Sequence, residues 1–287
     1  MISGLRKKLE KGEFVITAEL CPPKGTDTGV FMEKARLLKK YVNIVNITDN
    51  QRAIMRMTSL VGSLLAKEAG LEPVYQLTCR DRNRIALQSD LLGAAGLRIC
   101  NLLALSGDYV TEGDHPQAKP VFDLDSTLLI RTAAGLNNGV DMAGKLLKGK
   151  TSFYIGAAVN PGAEPAPPHR LSFEKKIAAG ARFFQTQAIF DFDKFSAFMN
   201  YANNFPVKIL GGILLMKSVR MAEFLNDRVP GVSIPQQLMA RLKQARDPLQ
   251  TGIEIAREQV KRLRDICDGA HIMTVGREEL IPEILAG

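Results

Sequence analysis

The sequence predicts an α/β chain folded as one (β/α)8 barrel. Eight short, β-rich apolar runs recur along the 287 residues, with helical patterns between them. Most runs are nearly continuous in apolar residues, as expected of strands buried on both faces in a parallel sheet. No linker rich in Pro, Gly or Ser marks a boundary, so residues 1–287 are expected to form a single domain.

The elements follow in order. FVITAEL (14–20) ends on Glu19, just before Cys21, Pro22 and Pro23, and leads to the helical GVFMEKARLLKKY. VNIVNIT (42–48) closes at Thr48 and Asp49 ahead of TSLVGSLLAKEAG. PVYQLTC (73–79) closes at Thr78 and Arg80 ahead of RIALQSDLLGAAG. NLLALSG (101–107) runs into Asp108 and a long connection to Asp125, then STLLIRTAAGLNNG. SFYIGAAV (152–159) closes at Asn160. The Pro-rich NPGAEPAPPH (160–169) is expected to be a long loop before the helix LSFEKKIAAGA. FFQTQAIF (183–190) carries Gln185 and Gln187 and precedes DFDKFSAFMNYANN. VKILGGIL (207–214) is followed by three helical stretches, and AHIMTV (270–275) completes the set, with Arg277 just beyond. Several helical stretches stop at Gly. An open doubly wound sheet is the competing topology. Its dinucleotide-binding form should show G-x-G-x-x-G after the first strand, which ELCPPKGTD does not supply.

Composition narrows the function. The net charge is +8, which fits either a solvated basic surface or an anionic partner. Lys and Arg are mostly scattered, without finger spacing, helix-turn-helix pattern or RNA-binding aromatics, so no nucleic acid partner is expected. Cys21, Cys79, Cys100 and Cys267 lie far apart, and His115, His169 and His271 lack ligand spacing. Neither a disulfide framework nor a metal site is expected. No apolar run reaches about 18 residues, so no membrane span is expected and a cytoplasmic location is.

A barrel places its chemistry where its strands end. Glu19 and Asp108 therefore arrive at one rim from strands one and four. Each carboxylate there either does acid–base or charge-stabilising work, its pKa set by its surroundings, or merely pairs with a rim cation or starts a turn. Gln187 would offer an amide to a heterocycle or make a supporting hydrogen bond. Ser106 and Gly107 let the backbone approach a ligand closely. Lys176 would meet a phosphate or stay solvated.

At these residues the sequence resembles a known family. ITAELCPPKGTD, LALSGD, AGARFFQTQAIFD, ILGGIL and GAHIMTVGREE are similar, in the same order, to five segments of the 5,10-methylenetetrahydrofolate reductases. The resemblance implies a flavin-bearing (β/α)8 barrel that reduces 5,10-methylenetetrahydrofolate to 5-methyltetrahydrofolate. It makes Glu19 the general acid, Asp108 the carboxylate between flavin and pterin, and Gln187 a pterin ligand. It puts Thr48, Gln76, Leu105, Ser106, Gly107, Asp108, Phe122, Asp125, Asn160 and Lys176 at or near flavin positions, and Val275 and Arg277 at the folate. The implied cofactor is FAD, with FMN as the alternative. The electron donor would be NAD(P)H or a partner redox protein, in an oligomer or a larger complex. Some positions depart from the family pattern: Ser106 replaces an arginine, Gln76 a histidine, and VNPGAEP lacks the usual tyrosine and histidine. Other readings are a flavin-bearing subunit reduced by a partner protein, or a flavin-free barrel acting as a lyase or in methyl transfer.

Overall fold

A computed structural model describes residues 2–229 and 231–286. Among them, eight parallel strands close into a barrel in chain order. They are β1 (Val15–Leu20), β2 (Ile44–Ile47), β3 (Glu72–Thr78), β4 (Asn101–Leu105), β5 (Tyr154–Val159), β6 (Phe183–Ala188), β7 (Lys208–Leu214) and β8 (Gly269–Met273). β8 pairs back onto β1 with Thr17 beside His271. Each predicted run overlaps its strand, with ends that differ by at most two residues.

The helices are α1 (Gly4–Glu10), α2 (Gly29–Lys39), α3 (Ser59–Glu68), α4 (Arg84–Gly96), α5 (Ser126–Asn137), α6 (Ala166–Ala179), α7 (Phe192–Ala202), α8 (Val219–Arg228), α9 (Gln236–Gln244), α10 (Pro248–Leu263) and α11 (Ile281–Leu285). Three differ from expectation: α1, α6, and α11, which follows the last strand where no helical stretch is expected. The N-terminal GLRKKLE, which stands out in the sequence only as a charged stretch, is α1, capped by the Ser3 side chain. The Glu72 carboxylate accepts from the amides of Gly4 and Leu5, both at 2.9 Å, where a helix N-terminus favours negative charge. α6 starts at Ala166, inside the stretch expected to be loop. Proline suits a first helical turn, because its fixed φ is already helical and its missing N–H is not needed there.

Besides a cluster that joins α8, α9 and α10 through Leu225, Leu242 and Ile255, the apolar core has two parts. The larger lies between strands and helices and contains Ala18, Ile47, Leu77, Phe173 and Leu263. The smaller fills the bottom of the barrel: Val15, Ile44, Val74, Leu103, Tyr154, Phe183 and Leu210 meet Leu5 and Leu9 of α1. Side chains alternate along a strand, so the next inward layer lies two residues on. That layer is polar. It contains Thr17, Asn46, Gln76, Gln185 and His271, all buried. Gly156 belongs to the transition, since a Cβ there would stand 2.2 Å from the Phe183 ring. The floor is thus sealed with hydrocarbon, and hydrogen-bonding groups begin one layer below the C-terminal mouth.

Candidate active site

β1 carries Glu19 two residues above Thr17, at the wall of a cavity of about 280 Å³. Strand ends β1 to β6 and β8 contribute to this wall, including Gln76, Leu105, Ala158, Gln185, Gln187 and Met273. The Glu19 side chain keeps only 11% exposure. Burial raises its pKa to about 7, against a weaker opposing effect of the Gln51 amide. Gln51 Nε2 donates to both carboxylate oxygens, at 3.2 and 3.3 Å, and so favours the ionised form. The Glu278 charge adds to the rise. Glu19 can therefore hold or release a proton near neutrality, as a general acid must.

Asp108 stands at the same cavity from the end of β4. Its Oδ2 accepts the backbone N–H of Arg52 at 2.8 Å. Arg52 and its neighbours Asn50 and Ala53 all have positive φ, so the carboxylate holds a strained turn as well as facing the cavity. Arg80 supports this corner from β3. Its buried guanidinium binds Asp81 at 2.6 and 2.7 Å, Asn50 O at 3.1 Å and Asp108 O at 3.3 Å. Asp49 is equally committed: it accepts from Thr78 N and Oγ1 and from both Arg82 amino groups. These bonds lock the loops after β2, β3 and β4 together. Gly107, with φ +95°, makes the turn between Ser106 and Asp108.

Of the predicted residues, Glu19, Gln76, Leu105, Ser106, Gly107, Asp108 and Gln187 meet at the central cavity. Asn160 and Lys176 line an adjoining chamber of about 190 Å³, which shares Ala158 and Gln187 with the first. Burial lowers the Lys176 pKa, and its ammonium donates to Ala158 O at 2.8 Å. The others stand outside both linings. Thr48 is buried and donates to Cys21 Sγ at 3.2 Å. Asp125 caps α5 through Leu128 N. Phe122 meets Tyr109 edge-on at 6.0 Å. Val275 and Arg277 lie on the loop after β8, where Arg277 pairs with Glu279.

The structure adds Gln51, Arg80, Gln185 and His271 to the candidate set. Gln185 and Gln187 stand out equally in the sequence, but a bulge in β6 separates them. Gln185 pairs with Leu210 while Ala188 pairs with Gly212, so β6 has one extra residue. Gln187 is consequently exposed at the rim. Gln185 is buried, and its Nε2 has no hydrogen-bond partner. An unpaired buried donor costs about 1–3 kcal/mol, which a ligand acceptor in the cavity would offset. His271 sits opposite Thr17 on the inward face, a register between the first and last strands that no local sequence signal marks.

Residues 4–287 match the family model described as methylenetetrahydrofolate reductase. The chain belongs to this family. It is 23% identical over 314 residues to methylenetetrahydrofolate reductase 2 of Schizosaccharomyces pombe, covering 99% of the chain but 47% of that protein. The chain thus spans about half the length of the yeast relative. It is 25% identical over 284 residues to a 5,10-methylenetetrahydrofolate reductase of Pectobacterium carotovorum subsp. carotovorum, covering 94% and 88% of the two chains. Among solved structures, a protein from Clostridium thermocellum that binds two copies of 5-methyl-5,6,7,8-tetrahydrofolic acid superposes with TM-score 0.63 at 17% identity. It covers 98% of this chain and 96% of its own. Tryptophan synthase from M. tuberculosis shares the fold at TM-score 0.55 and 11% identity, over 99% and 94% of the chains. For a methylenetetrahydrofolate reductase family member, a carboxylic acid titrating near neutrality in an amide-lined barrel mouth is the feature with the clearest chemical use.

Proposed function

We propose that this chain is a flavin-dependent reductase that converts 5,10-methylenetetrahydrofolate to 5-methyltetrahydrofolate. The observation that carries this is Glu19: a buried acid with pKa about 7, facing a cavity walled by amides, hydroxyls, apolar side chains and the charged Asp49, Arg80 and Asp108. Family membership and the names of the relatives support the substrate, as does the folate bound by the C. thermocellum protein.

The residues present suit a flavin, FAD or FMN. A flat heterocycle needs in-plane donors and acceptors with apolar faces. Gln76 and the unpartnered Gln185 Nε2 offer the former; Leu105, Ala158 and Met273 offer the latter. Ser106 and Gly107 would bring backbone to the ring, and Lys176 and Asn160 in the adjoining chamber suit a phosphate. The bound reduced flavin would supply the hydride that turns the substrate's methylene carbon into a methyl group. Glu19 donates its proton to N10 of the folate, so the five-membered ring opens to a 5-iminium cation. Asp108, facing the same space, offers negative charge to that cation. Gln187, at the rim of both chambers, binds the pterin. The flavin's electrons come from NAD(P)H or from a partner redox protein.

The test is anaerobic. The purified protein, loaded with FAD or FMN, is mixed with 5-methyltetrahydrofolate, and bleaching of the flavin's visible absorbance is followed. Bleaching is expected in wild type and is lost in Glu19→Gln, while NADH or an artificial donor still reduces the flavin in that variant. A protein that takes up neither flavin, or a Glu19→Gln variant with undiminished folate turnover, would overturn the proposal.

A further inference from the structure

Below Glu19 lies a polar group for which the proposed chemistry has no use. His271 is buried at the centre of the inward polar layer. Its Nδ1 stands 2.9 Å from Thr17 Oγ1 and 3.3 Å from Asn46 Nδ2. Its other nitrogen, Nε2, stands 3.9 Å from Glu19 Oε2. Three strands therefore fix the ring, β1 through Thr17, β2 through Asn46 and β8 through its own backbone.

An amide NH₂ only donates hydrogen bonds. With Asn46 Nδ2 facing Nδ1, that nitrogen is the acceptor, and the ring proton sits on Nε2, directed at Glu19. Taking Glu19 as the proton donor proposed above, we propose that His271 is a positioning residue that holds an Nε2–H ready for the carboxylate Glu19 becomes. At 3.9 Å the contact is longer than a hydrogen bond, which for N–H···O lies at about 2.7–3.2 Å. A protonated Glu19 needs nothing from it. An ionised one attracts the N–H, and a small side-chain adjustment closes the gap. His271 thus favours the state of Glu19 after proton transfer and makes a buried acid strong enough to give up its proton.

The polarity of the surroundings fits this role. Burial lowers the His271 pKa to about 4, so the ring is neutral whenever Glu19 titrates. The other groups facing Glu19 are few. Gln51 comes from the loop after β2, and Cys21, its thiol pKa raised by burial, from the end of β1. Glu278, from the loop after β8, opposes ionisation and is itself paired with Lys34 at 2.6 Å. Asp49, Arg80 and Asp108 line the same cavity, and the first two are engaged by Arg82 and Asp81. His271 is the neutral donor that approaches from beneath, out of reach of solvent.

The experiment needs neither flavin nor folate. In 15N-labelled wild-type protein near neutral pH, the His271 nitrogen resonances should show protonated Nε2 and bare Nδ1. A Nδ1–H tautomer, the form Asn46 would select with its amide reversed, overturns the proposal. The Glu19 carboxyl carbon is then titrated by 13C NMR in wild type, His271→Leu and His271→Gln. The Leu variant should titrate about one pH unit higher, because it removes a donor to the ionised form. Gln, whose amide N–H reaches toward the place of Nε2, should restore most of the difference. Equal midpoints in wild type and His271→Leu, or equal shifts in Leu and Gln, overturn it. Since wild type alone decides the tautomer, a variant that fails to fold leaves the proposal testable. Absence of flavin or folate binding would count against the proposed reaction, but not against the Glu19–His271 relation.

Discussion

Replacing Glu19 by Gln should change the pH dependence of folding in a direction set by the sign of its pKa shift. Folding raises this carboxyl from 4.5 to about 7, so between those values the folded state binds more protons than the unfolded state. Its contribution to stability is fully present below about pH 4.5 and is lost as pH rises through about 7. Each pH unit in that window is worth at most about 1.4 kcal/mol, so the full span is about 3 kcal/mol. His271 acts in the opposite sense. Folding lowers it from 6.5 to about 4, so its contribution is present above about 6.5 and is lost as pH falls through about 4. Between about pH 4.5 and 6.5 the two slopes nearly cancel, and in wild type the pair is silent. Glu19→Gln removes one slope. Relative to wild type, the variant should gain stability steadily from about pH 4.5 to about 7.5, by up to about 3 kcal/mol. Urea unfolding of both proteins across that range measures the difference directly. A constant difference between the two would mean that Glu19 titrates in the folded protein as it does in water, and its assignment as an acid active near neutrality would fail with it.

Three further outcomes are expected. Leu9→Ala removes a fully buried plug from the bottom of the barrel, and should cost about 2–5 kcal/mol in urea unfolding without altering ligand affinity. Arg82→Ala strands the buried Asp49 carboxylate, which Arg82 grips at 2.7 Å, and should cost about 3–5 kcal/mol in urea unfolding. Gln185→Leu removes an unpartnered buried donor. It should leave stability equal or raised by about 1 kcal/mol in urea unfolding, while weakening flavin or folate binding, measured by fluorescence titration, about tenfold.

The barrel was legible because its strands are buried on both faces, so that the sequence shows eight separable apolar runs. The same property hid the site. In a half-exposed strand polar residues alternate visibly, whereas here Thr17, Asn46 and His271 sit within apolar runs and read as interruptions. Glu19 and Asp108 stood out because they end runs, where a barrel keeps its chemistry. Gln51 did not, and Arg80 ended its run without any sign of what it holds, because their roles depend on loop contacts between strands distant in sequence. The register of β6 was equally invisible: no local signal in FFQTQAIF says that one residue is extra, yet that residue decides which glutamine is buried. Helix α1 was missed because its two leucines, flanked by Lys and Arg, look like a solvated basic arm until the barrel supplies the hydrocarbon they cover.

The polar layer is the least economical part of the fold, and that bears on its purpose. Apolar residues at Thr17, Asn46, Gln185 and His271 would extend the floor cluster upward, and cores of this kind tolerate such replacement if volume is kept. Instead Asn46 Oδ1 and Gln185 Nε2 are buried without partners, each at a cost of about 1–3 kcal/mol. A barrel selected for stability alone would not keep both. The two orphans lie on opposite sides of the layer, Asn46 beside His271 under Glu19 and Gln185 at the cavity wall. Asn46 turns its amide nitrogen to the ring beneath the acid and leaves its oxygen unpaired, while the Gln185 orphan is placed to meet a ligand. Both positions border the small volume that the carboxylates mark from above, between the end of β1 and the bulge of β6.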